Sequence, residues 1–375
     1  MYTISIEANK KVQADLDIIL KIIKCKINPI SVILFGGFGK GEGSFEILNG
    51  EVRPLNDYDL YVIVRKRLSE DYLESISMEC SKAIGRGGEE FCEKPHENYD
   101  ADRFFHVDLR QVSLKNLSRM KPMQRTFELK RSMVIYGEDL RARFPDVSVP
   151  VSDAIRLLFN KLHHLLLGRD NDVRIKTIYI YKAYLDICAA LLIHEKNFAA
   201  TYRDRNQIYQ NLDYPKELKE SVAWATDFRM QPSFSLDDLD NKWIKARNWV
   251  LWALKRIVRE ELGLEKEDWP SIADRMYRTL PCTYFAPYMS VNFFPAQYLL
   301  NYYYVRRAWT FRHKLIKPLI RWRDSGIILG ISMMLYHVGE LHLSQFYLNK
   351  IETINANLKE SLLELYGIYY SQRII

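Results

Sequence analysis

The sequence predicts an α+β protein, with a mixed sheet and flanking helices in residues 1–148 and an all-α region after them. Two observations favour this fold class. Short apolar runs bounded by turn residues, typical of strands, recur up to about residue 137. After Pro150 the chain instead carries long apolar stripes at helical spacing with few breakers. Pro145 and Pro150 mark the linker between the two regions.

The first region alternates helices and strands. Leu16, Ile19, Leu20 and Ile23 stand at helical spacing and predict a helix over residues 9–28. Ser69 is a predicted N-cap, with acids in the first turn of a helix that runs to about Ile84. Strands are predicted over residues 31–35, 59–64, 103–112 and 132–137.

A glycine-rich turn follows the first strand. Gly36, Gly37, Gly39, Gly41 and Gly43 permit positive φ and close approach of a ligand to the backbone. Free N–H groups of a helix that starts here could hold phosphates, and Lys40 would add a point charge one turn on. The turn matches neither the Walker A motif nor the dinucleotide fingerprint. Taken alone, it could equally be a flexible surface loop.

Two carboxylates open the next strand. Because residues i and i+2 of a strand point to the same face, Asp57 and Asp59 project side by side, about 7 Å apart by strand rise. Hard anionic oxygens suit Mg²⁺, and above all a Mg²⁺ that already carries nucleotide phosphates. The alternative interpretation is a loop-to-strand junction with a turn-forming Asn-Asp pair.

A third carboxylate lies on a later predicted strand. His106, Asp108 and Arg110 share one face of it, and Val107 and Leu109 share the other. Asp108 is therefore the candidate for completing an acidic cluster. The alternative is an exposed strand face that carries a solvated ion pair between Asp108 and Arg110.

These motifs together resemble the nucleotidyltransferase superfamily related to DNA polymerase β. Phe35-Gly36-Gly37 matches the first half of the family signature, and Asp57-Tyr58-Asp59-Leu60 matches the second. The resemblance covers roughly the first 140 residues. Gly37 departs from the family by replacing a common Ser, so a phosphate contact there must come from the backbone. The connection to Asp57 is also longer than usual, and its extra piece reads as a hairpin around Asn49-Gly50.

The resemblance implies Mg²⁺-dependent transfer of a nucleoside monophosphate from a triphosphate such as ATP to a hydroxyl, with release of pyrophosphate. Mn²⁺ is the alternative metal. Asp57, Asp59 and Asp108 would be the metal ligands and catalytic residues, with Asp108 assisting attack by the hydroxyl. The predicted nucleotide-binding residues are Gly36, Gly37, Lys40, Ser44 and Lys182.

The acceptor stays open. A small molecule, an RNA 3′ end and a protein hydroxyl all fit, and a non-polymer acceptor is favoured because the basic excess is modest and no RNA-binding module is recognised. One alternative is an RNA-terminal nucleotidyltransferase. Another, from a different class, is a non-catalytic module that binds or senses a nucleotide. A crowded cluster of three carboxylates argues against the latter.

Composition limits the remaining function classes. The chain has 375 residues and a net charge of +7, which suits an anionic ligand without choosing among nucleotide, nucleic acid and membrane surface. Its 5 cysteines are scattered, so neither a zinc site nor a disulfide framework is indicated. No signal peptide and no transmembrane segment is predicted, and peripheral membrane contact is not favoured. We expect a cytoplasmic location.

The predicted organisation has three parts. Residues 1–148 form the catalytic domain, and residues 149–265 form a helical domain that, by the resemblance, closes over the nucleotide. Residues 266–375 form a helical region in which aromatic and basic residues interleave between 284 and 323. Such a mixture can make a stacking groove for an acceptor or partner, or simply the basic outer face of a helical bundle.

Overall fold

The structure is a computed structural model that describes residues 1–48, 50–88, 101–234, 237–264, 268–279, 325–350 and 357–366. The chain divides into two compact units. The first comprises Met1–Val149, Asp170–Tyr181 and Lys196–Asp237. The second comprises Pro150–Arg169, Lys182–Glu195 and Asp238–Ile375. The first boundary falls at the predicted linker, but the units cut across the linear three-part division, which stays a prediction.

A mixed sheet organises the first unit. Within the described residues, four strands pair in the order β5–β4–β1–β6, with β4 and β5 parallel and the other pairs antiparallel. Their bounds are Ser31–Leu34 (β1), Tyr58–Val64 (β4), Val107–Ser113 (β5) and Met133–Gly137 (β6). The predicted α+β class with a mixed sheet is confirmed.

Two long helices cover one face of this sheet, and shorter helical and irregular segments cover the other. Alternate residues such as Val32, Leu34 and Leu60 pack against helices Ile6–Ile27 (α1) and Glu70–Ala83 (α3). The intervening residues, including Ile33, Tyr61 and Ile63, form a second cluster with side chains from the segments between β5 and residue 144. By strand alternation, Asp59 lies on the face of this second cluster.

Antiparallel pairing brings the glycine-rich turn to the start of β4. Leu34, the last residue of β1, pairs with Leu60, and the N–H of Phe35 donates to the carbonyl of Asp59 at 2.9 Å. A short helical turn, Gly36–Gly39 (α2), follows at once. The two halves of the motif, separated in sequence, therefore meet in space.

Two local predictions have clear outcomes. The inserted hairpin is confirmed, with Phe45–Leu48 (β2) pairing antiparallel with Glu51–Pro54 (β3), and Gly50 takes the positive φ of 82° that its turn requires. The third strand, predicted from residue 103, begins only at Val107 because residues Ala101–Phe104 (α4) form a helical turn. As predicted, Asp108 lies on the opposite face of β5 from Val107 and Leu109.

Further helices complete the first unit. Gln124–Leu129 (α5) precedes β6. Tyr202–Gln210 (α8) begins at Thr201, whose hydroxyl accepts the N–H of Asp204 at 3.0 Å. Lys216–Met230 (α9) follows, and the N-terminal part of Val173–His194 (α7) belongs here as well.

The described part of the second unit is helical, in agreement with the prediction for the C-terminal region. It contains Val151–Gly168 (α6), the remainder of α7, Leu239–Leu262 (α10), Trp269–Thr279 (α11), Ser325–His337 (α12), Leu341–Leu348 (α13) and Leu358–Tyr366 (α14). The aromatic and basic interleaving predicted over residues 284–323 lies outside the described residues. Its proposed role stays a prediction.

One described helix, α7, passes a length and composition test for crossing a membrane. However, 78% of its most apolar window is buried inside the protein. Core helices of folded domains pass the same test, so the signal is weak.

Buried histidines mark the core of the second unit. His163 stacks on Tyr366 with ring centroids 3.8 Å apart, and His337 contacts the carbonyl oxygen of Leu162 at 2.7 Å. Burial lowers the pKa of His163 to about 3, with further lowering by the charges of Lys161 and His337. Burial likewise lowers the pKa of His337 to about 4.

These histidines predict acid sensitivity. Their folded-state pKa values lie below the unfolded value of about 6.5, so the stability they confer is complete above pH 6.5 and falls as the pH drops toward 4. The free energy of unfolding should fall by about 1.4 kcal/mol per pH unit for each histidine. Urea unfolding between pH 8 and pH 4.5 measures this slope.

A matched pair of variants tests whether His163 causes part of this pH dependence of the free energy of unfolding. His163→Phe keeps the stacking on Tyr366 but cannot be protonated, so it should flatten the pH dependence by one histidine's share. His342, an exposed residue of α13, provides the control. An equal slope in His163→Phe and His342→Gln would contradict the assignment.

Candidate active site

The three predicted carboxylates lie at one end of adjacent strands. Asp59 and Asp108 are Cα partners across the parallel β4–β5 pair. Asp57 directly precedes β4 and is the most accessible of the three, with 41% of its side chain exposed. Asp108 is buried and Asp59 is half-buried. The structure thus places residues 57, 59 and 108 at the same end of β4 and β5, and their predicted roles stay predictions.

The electrostatics of this cluster are unfavourable without a cation. Burial, together with the negative charges of Asp108 and Asp57, raises the pKa of Asp59 to about 7, while Arg110 and His106 oppose the shift. Burial makes the largest contribution to this rise, and the two neighbouring carboxylates add to it, so the ionised form of Asp59 is disfavoured in the folded protein.

Two neighbouring side chains hold the flanking carboxylates. Arg110 contacts the same oxygen of Asp108 through Nε at 2.9 Å and through a terminal nitrogen at 2.8 Å. Asp57 accepts the backbone N–H of His106 at 3.3 Å, and its Oδ1 lies 3.4 Å from the imidazole Nδ1. The alternative of a solvated ion pair on an exposed strand face does not hold, because Asp108 is buried.

The three carboxylates are chemically suited to bind a divalent cation, but their side chains are not arranged around a single metal position. Three carboxylates at one strand end supply the hard oxygens that Mg²⁺ and Mn²⁺ prefer. Among the described residues, however, no three acidic, histidine or cysteine side chains converge on one point. The contacts of Asp108 with Arg110 and of Asp57 with His106 account for this. A bound cation would compete with both partners.

Gly36 leaves room for the Asp59 carboxylate. Its φ is 63°, and a Cβ built there would lie 2.0 Å from Oδ2 of Asp59. Any side chain at this position would displace the carboxylate. Glycine is therefore required at residue 36 both by backbone conformation and by contact.

Gly36→Ala should accordingly displace Asp59 and abolish the nucleotidyl transfer that the sequence predicts. The left-handed conformation alone should lower the free energy of unfolding by about 1–2 kcal/mol. Gly50→Ala is the matched control, since Gly50 also has positive φ but a Cβ added there would meet nothing within 4 Å. Loss of turnover in both variants, measured beside urea unfolding, would mean that stability rather than Asp59 explains the effect.

Lys40 is engaged inside the protein. Its side chain is 2% exposed, and Nζ lies 3.4 Å from Oε1 of Glu128. The same carboxylate oxygen accepts a hydrogen bond from Arg205. The predicted phosphate contact of Lys40 stays a prediction, and it would require Lys40 to share its charge with Glu128.

Ser44 also has internal partners. Its buried hydroxyl donates to the backbone carbonyl of Arg229 and accepts from the Arg229 guanidinium. Its N–H donates to the side chain of Asn56 at 3.0 Å. The predicted direct contact of Ser44 with nucleotide stays a prediction. In the structure, the Ser44 hydroxyl bonds to Arg229.

Glu42 ties the glycine-rich turn to α8. Its carboxylate accepts the backbone N–H groups of Tyr202 at 2.7 Å and Arg203 at 2.9 Å. These belong to the first turn of the helix, where N–H groups have no partner within the helix. Glu42 therefore anchors the far side of the turn.

Lys182 belongs to the second unit and is half-buried on α7. Its predicted nucleotide contact stays a prediction.

Sequence reasoning missed Arg229 and Asn56. Asn56 adjoins the acidic pair and could have been noticed, whereas Arg229 lies in a helix that carries no motif.

The chain is similar to one adenyltransferase of known structure. That structure is spectinomycin adenyltransferase AAD(9) from Enterococcus faecialis with ATP and spectinomycin. The sequences are 16% identical, the TM-score is 0.40, and the match covers 64% of this chain and 98% of that one. A likeness at this level carries no argument about activity. No family model and no curated protein matches the chain in sequence.

Proposed function

We propose that the protein is a nucleotidyltransferase that moves a nucleoside monophosphate from a nucleoside triphosphate to a hydroxyl, and that Mg²⁺ or Mn²⁺ assists. The observation that carries this proposal is the placement of Asp59 beside Asp108 on parallel strands, against the glycine turn at Gly36. Asp57 joins them from the start of β4. The family signature read from the sequence supplies the reaction type.

Each residue then has a distinct task. Asp57, Asp59 and Asp108 would hold the metal, which when bound would neutralise phosphate charge and polarise the reacting phosphorus centre. Asp108 orients the acceptor hydroxyl and accepts its proton as the hydroxyl attacks the α-phosphorus. Arg110 holds the Asp108 carboxylate in place through its contacts at 2.9 and 2.8 Å. Gly36 and Gly37 would contact the phosphates through their backbone N–H groups, since Asp59 and Arg229 fill the space of the missing side chains.

One observation favours a second candidate, a module that binds a nucleotide without turning it over. The described carboxylates face Arg110 and His106 instead of converging on a metal position. A binding module needs no such convergence. The two candidates differ in whether any product forms.

An acceptor screen tests the proposal. Purified protein is incubated with each nucleoside triphosphate labelled at the α-phosphate, with Mg²⁺ or Mn²⁺ and a cell extract split into small-molecule, RNA and protein fractions. We expect label in a small-molecule product, identified by mass spectrometry and absent with Asp59→Asn. Label in RNA would assign the RNA-terminal alternative, and nucleotide binding without any labelled product would favour the binding module.

A further inference from the structure

A buried arginine lies beside the glycine turn. Arg229, in the last turn of α9, is 5% exposed. One terminal nitrogen of its guanidinium donates to the Ser44 hydroxyl and to the side-chain oxygen of Asn56. These two residues flank the inserted hairpin, and the N–H of Leu55 donates to the Ser44 carbonyl at 3.0 Å. Arg229 therefore holds the base of the hairpin, next to the start of β4.

The other terminal nitrogen of Arg229 lies against Gly37. A Cβ built on Gly37 would stand 2.7 Å from it. The guanidinium thus occupies the space that a side chain at residue 37 would fill. The guanidinium and the backbone of Gly37 therefore lie directly against each other.

The charge of Arg229 is balanced only by neutral groups within the described residues. Its contacts there are the Ser44 hydroxyl, the Asn56 amide and the Tyr202 ring, whose centroid lies 5.6 Å from Cζ. A buried cation without an anionic partner is costly, and a cation–π contact offsets only part of the cost. Lys40, the other cation of the turn, is already paired with Glu128.

We propose that Arg229 supplies the cation that recognises the triphosphate at Gly37. This inference rests on the proposed function, because it assumes that the glycine turn holds nucleotide phosphates. The guanidinium fork suits phosphate oxygens, and a phosphate would provide the anion that Arg229 lacks among its described neighbours. The backbone of Gly37 and the side chain of Arg229 then act as one binding element.

Binding of a triphosphate and of the matching monophosphate tests the proposal without any turnover. The dissociation constants of ATP and AMP are measured by calorimetry on the full chain, at two salt concentrations. Arg229→Gln should weaken ATP binding about tenfold to a hundredfold, as expected from losing a charged hydrogen bond, and should change AMP binding less than about twofold. Arg229→Lys should retain part of the ATP affinity because it keeps the charge.

Arg174→Gln is the matched control. Arg174 contacts Glu46 of the hairpin at 3.3 Å in the same unit, away from the contacts of Gly37. This variant should leave the ratio of ATP to AMP affinity unchanged. Equal weakening of ATP and AMP binding by Arg229→Gln would reduce Arg229 to a packing role and overturn the proposal.

A second variant keeps the test decisive if Arg229→Gln does not fold. Gly37→Ala moves the guanidinium while leaving Ser44, Asn56 and Arg229 in the sequence. It should lower ATP affinity selectively, and an unchanged ratio of ATP to AMP affinity would overturn the proposal. Failure of wild-type protein to bind any triphosphate would instead overturn the proposed function together with this inference.

Discussion

Asp59→Asn should abolish nucleotidyl transfer while leaving the protein folded. Loss of a metal-binding carboxylate removes several kcal/mol of transition-state stabilisation, and about 1.4 kcal/mol corresponds to a tenfold change in rate. We therefore expect a decrease of about a thousandfold or more. The measurement is the initial rate of pyrophosphate release at saturating triphosphate.

The same variant should be more stable than wild type in the absence of metal at pH 8. The pKa of Asp59 is raised to about 7, mainly by burial and then by Asp108 and Asp57, so the ionised carboxylate is penalised in the folded state. That penalty is absent below pH 4, grows as the pH rises to 7, and persists above it. Asparagine removes it, and we expect a gain of about 1 kcal/mol or more.

Asp17→Asn provides the control for both effects. Asp17 is an exposed carboxylate of α1, and its replacement should change neither turnover nor stability by a measurable amount. If Asp59→Asn turned over at the wild-type rate, Asp59 would not be a metal ligand. A loss of stability at pH 8 would contradict the interpretation that burial and the neighbouring carboxylates penalise the ionised Asp59.

Asp108→Ala should lower the transfer rate about 10²- to 10⁴-fold, the range typical of losing a group that transfers a proton. Triphosphate binding should change much less, because under the proposed function Asp57 and Asp59 would still hold the nucleotide-bound metal. Single-turnover rates and triphosphate dissociation constants, measured side by side, separate the two effects. A rate within about threefold of wild type would leave Asp108 with only its ion pair to Arg110.

Arg110→Gln is the matched variant for Asp108. It removes the ion pair, whose nitrogen–oxygen distance is 2.8 Å, but keeps the carboxylate. If Asp108 acts as the base, Arg110→Gln should change the pH–rate profile of transfer, because it removes the cation that contacts the Asp108 carboxylate. Identical losses with unshifted profiles in both variants would point to a purely structural pair.

The strands and turns that rest on local patterns could be predicted from the sequence. The apolar run after Asp59, the hairpin of β2 and β3, and the Ser69 cap each carry a local signal, and each lies where predicted. β5 begins at Val107, four residues later than predicted. The alternation of polar and apolar residues does not exclude a helical turn before the strand. Local patterns thus predict the elements better than their ends.

Long-range partners were not predictable. The pairing of Lys40 with Glu128 and the position of Arg229 beside Gly37 depend on how helices pack on the turn, and neither Glu128 nor Arg229 carries a motif. The same holds for the extension of the first unit into residues 196–237. Sequence reasoning singled out the three carboxylates, whereas the positions of Lys40 and Arg229 around the glycine turn became visible only in the fold.

The position of the transferred phosphorus tests the central claim most directly. Wild-type protein and Asp59→Asn are incubated with the acceptor found in the screen and with triphosphate labelled at either the α- or the γ-phosphate. Nucleotidyl transfer predicts that wild type moves the α-label into the product and releases the γ-label as pyrophosphate, and that Asp59→Asn does neither. Transfer of the γ-label to the acceptor, or α-label transfer that persists in Asp59→Asn, would contradict the account.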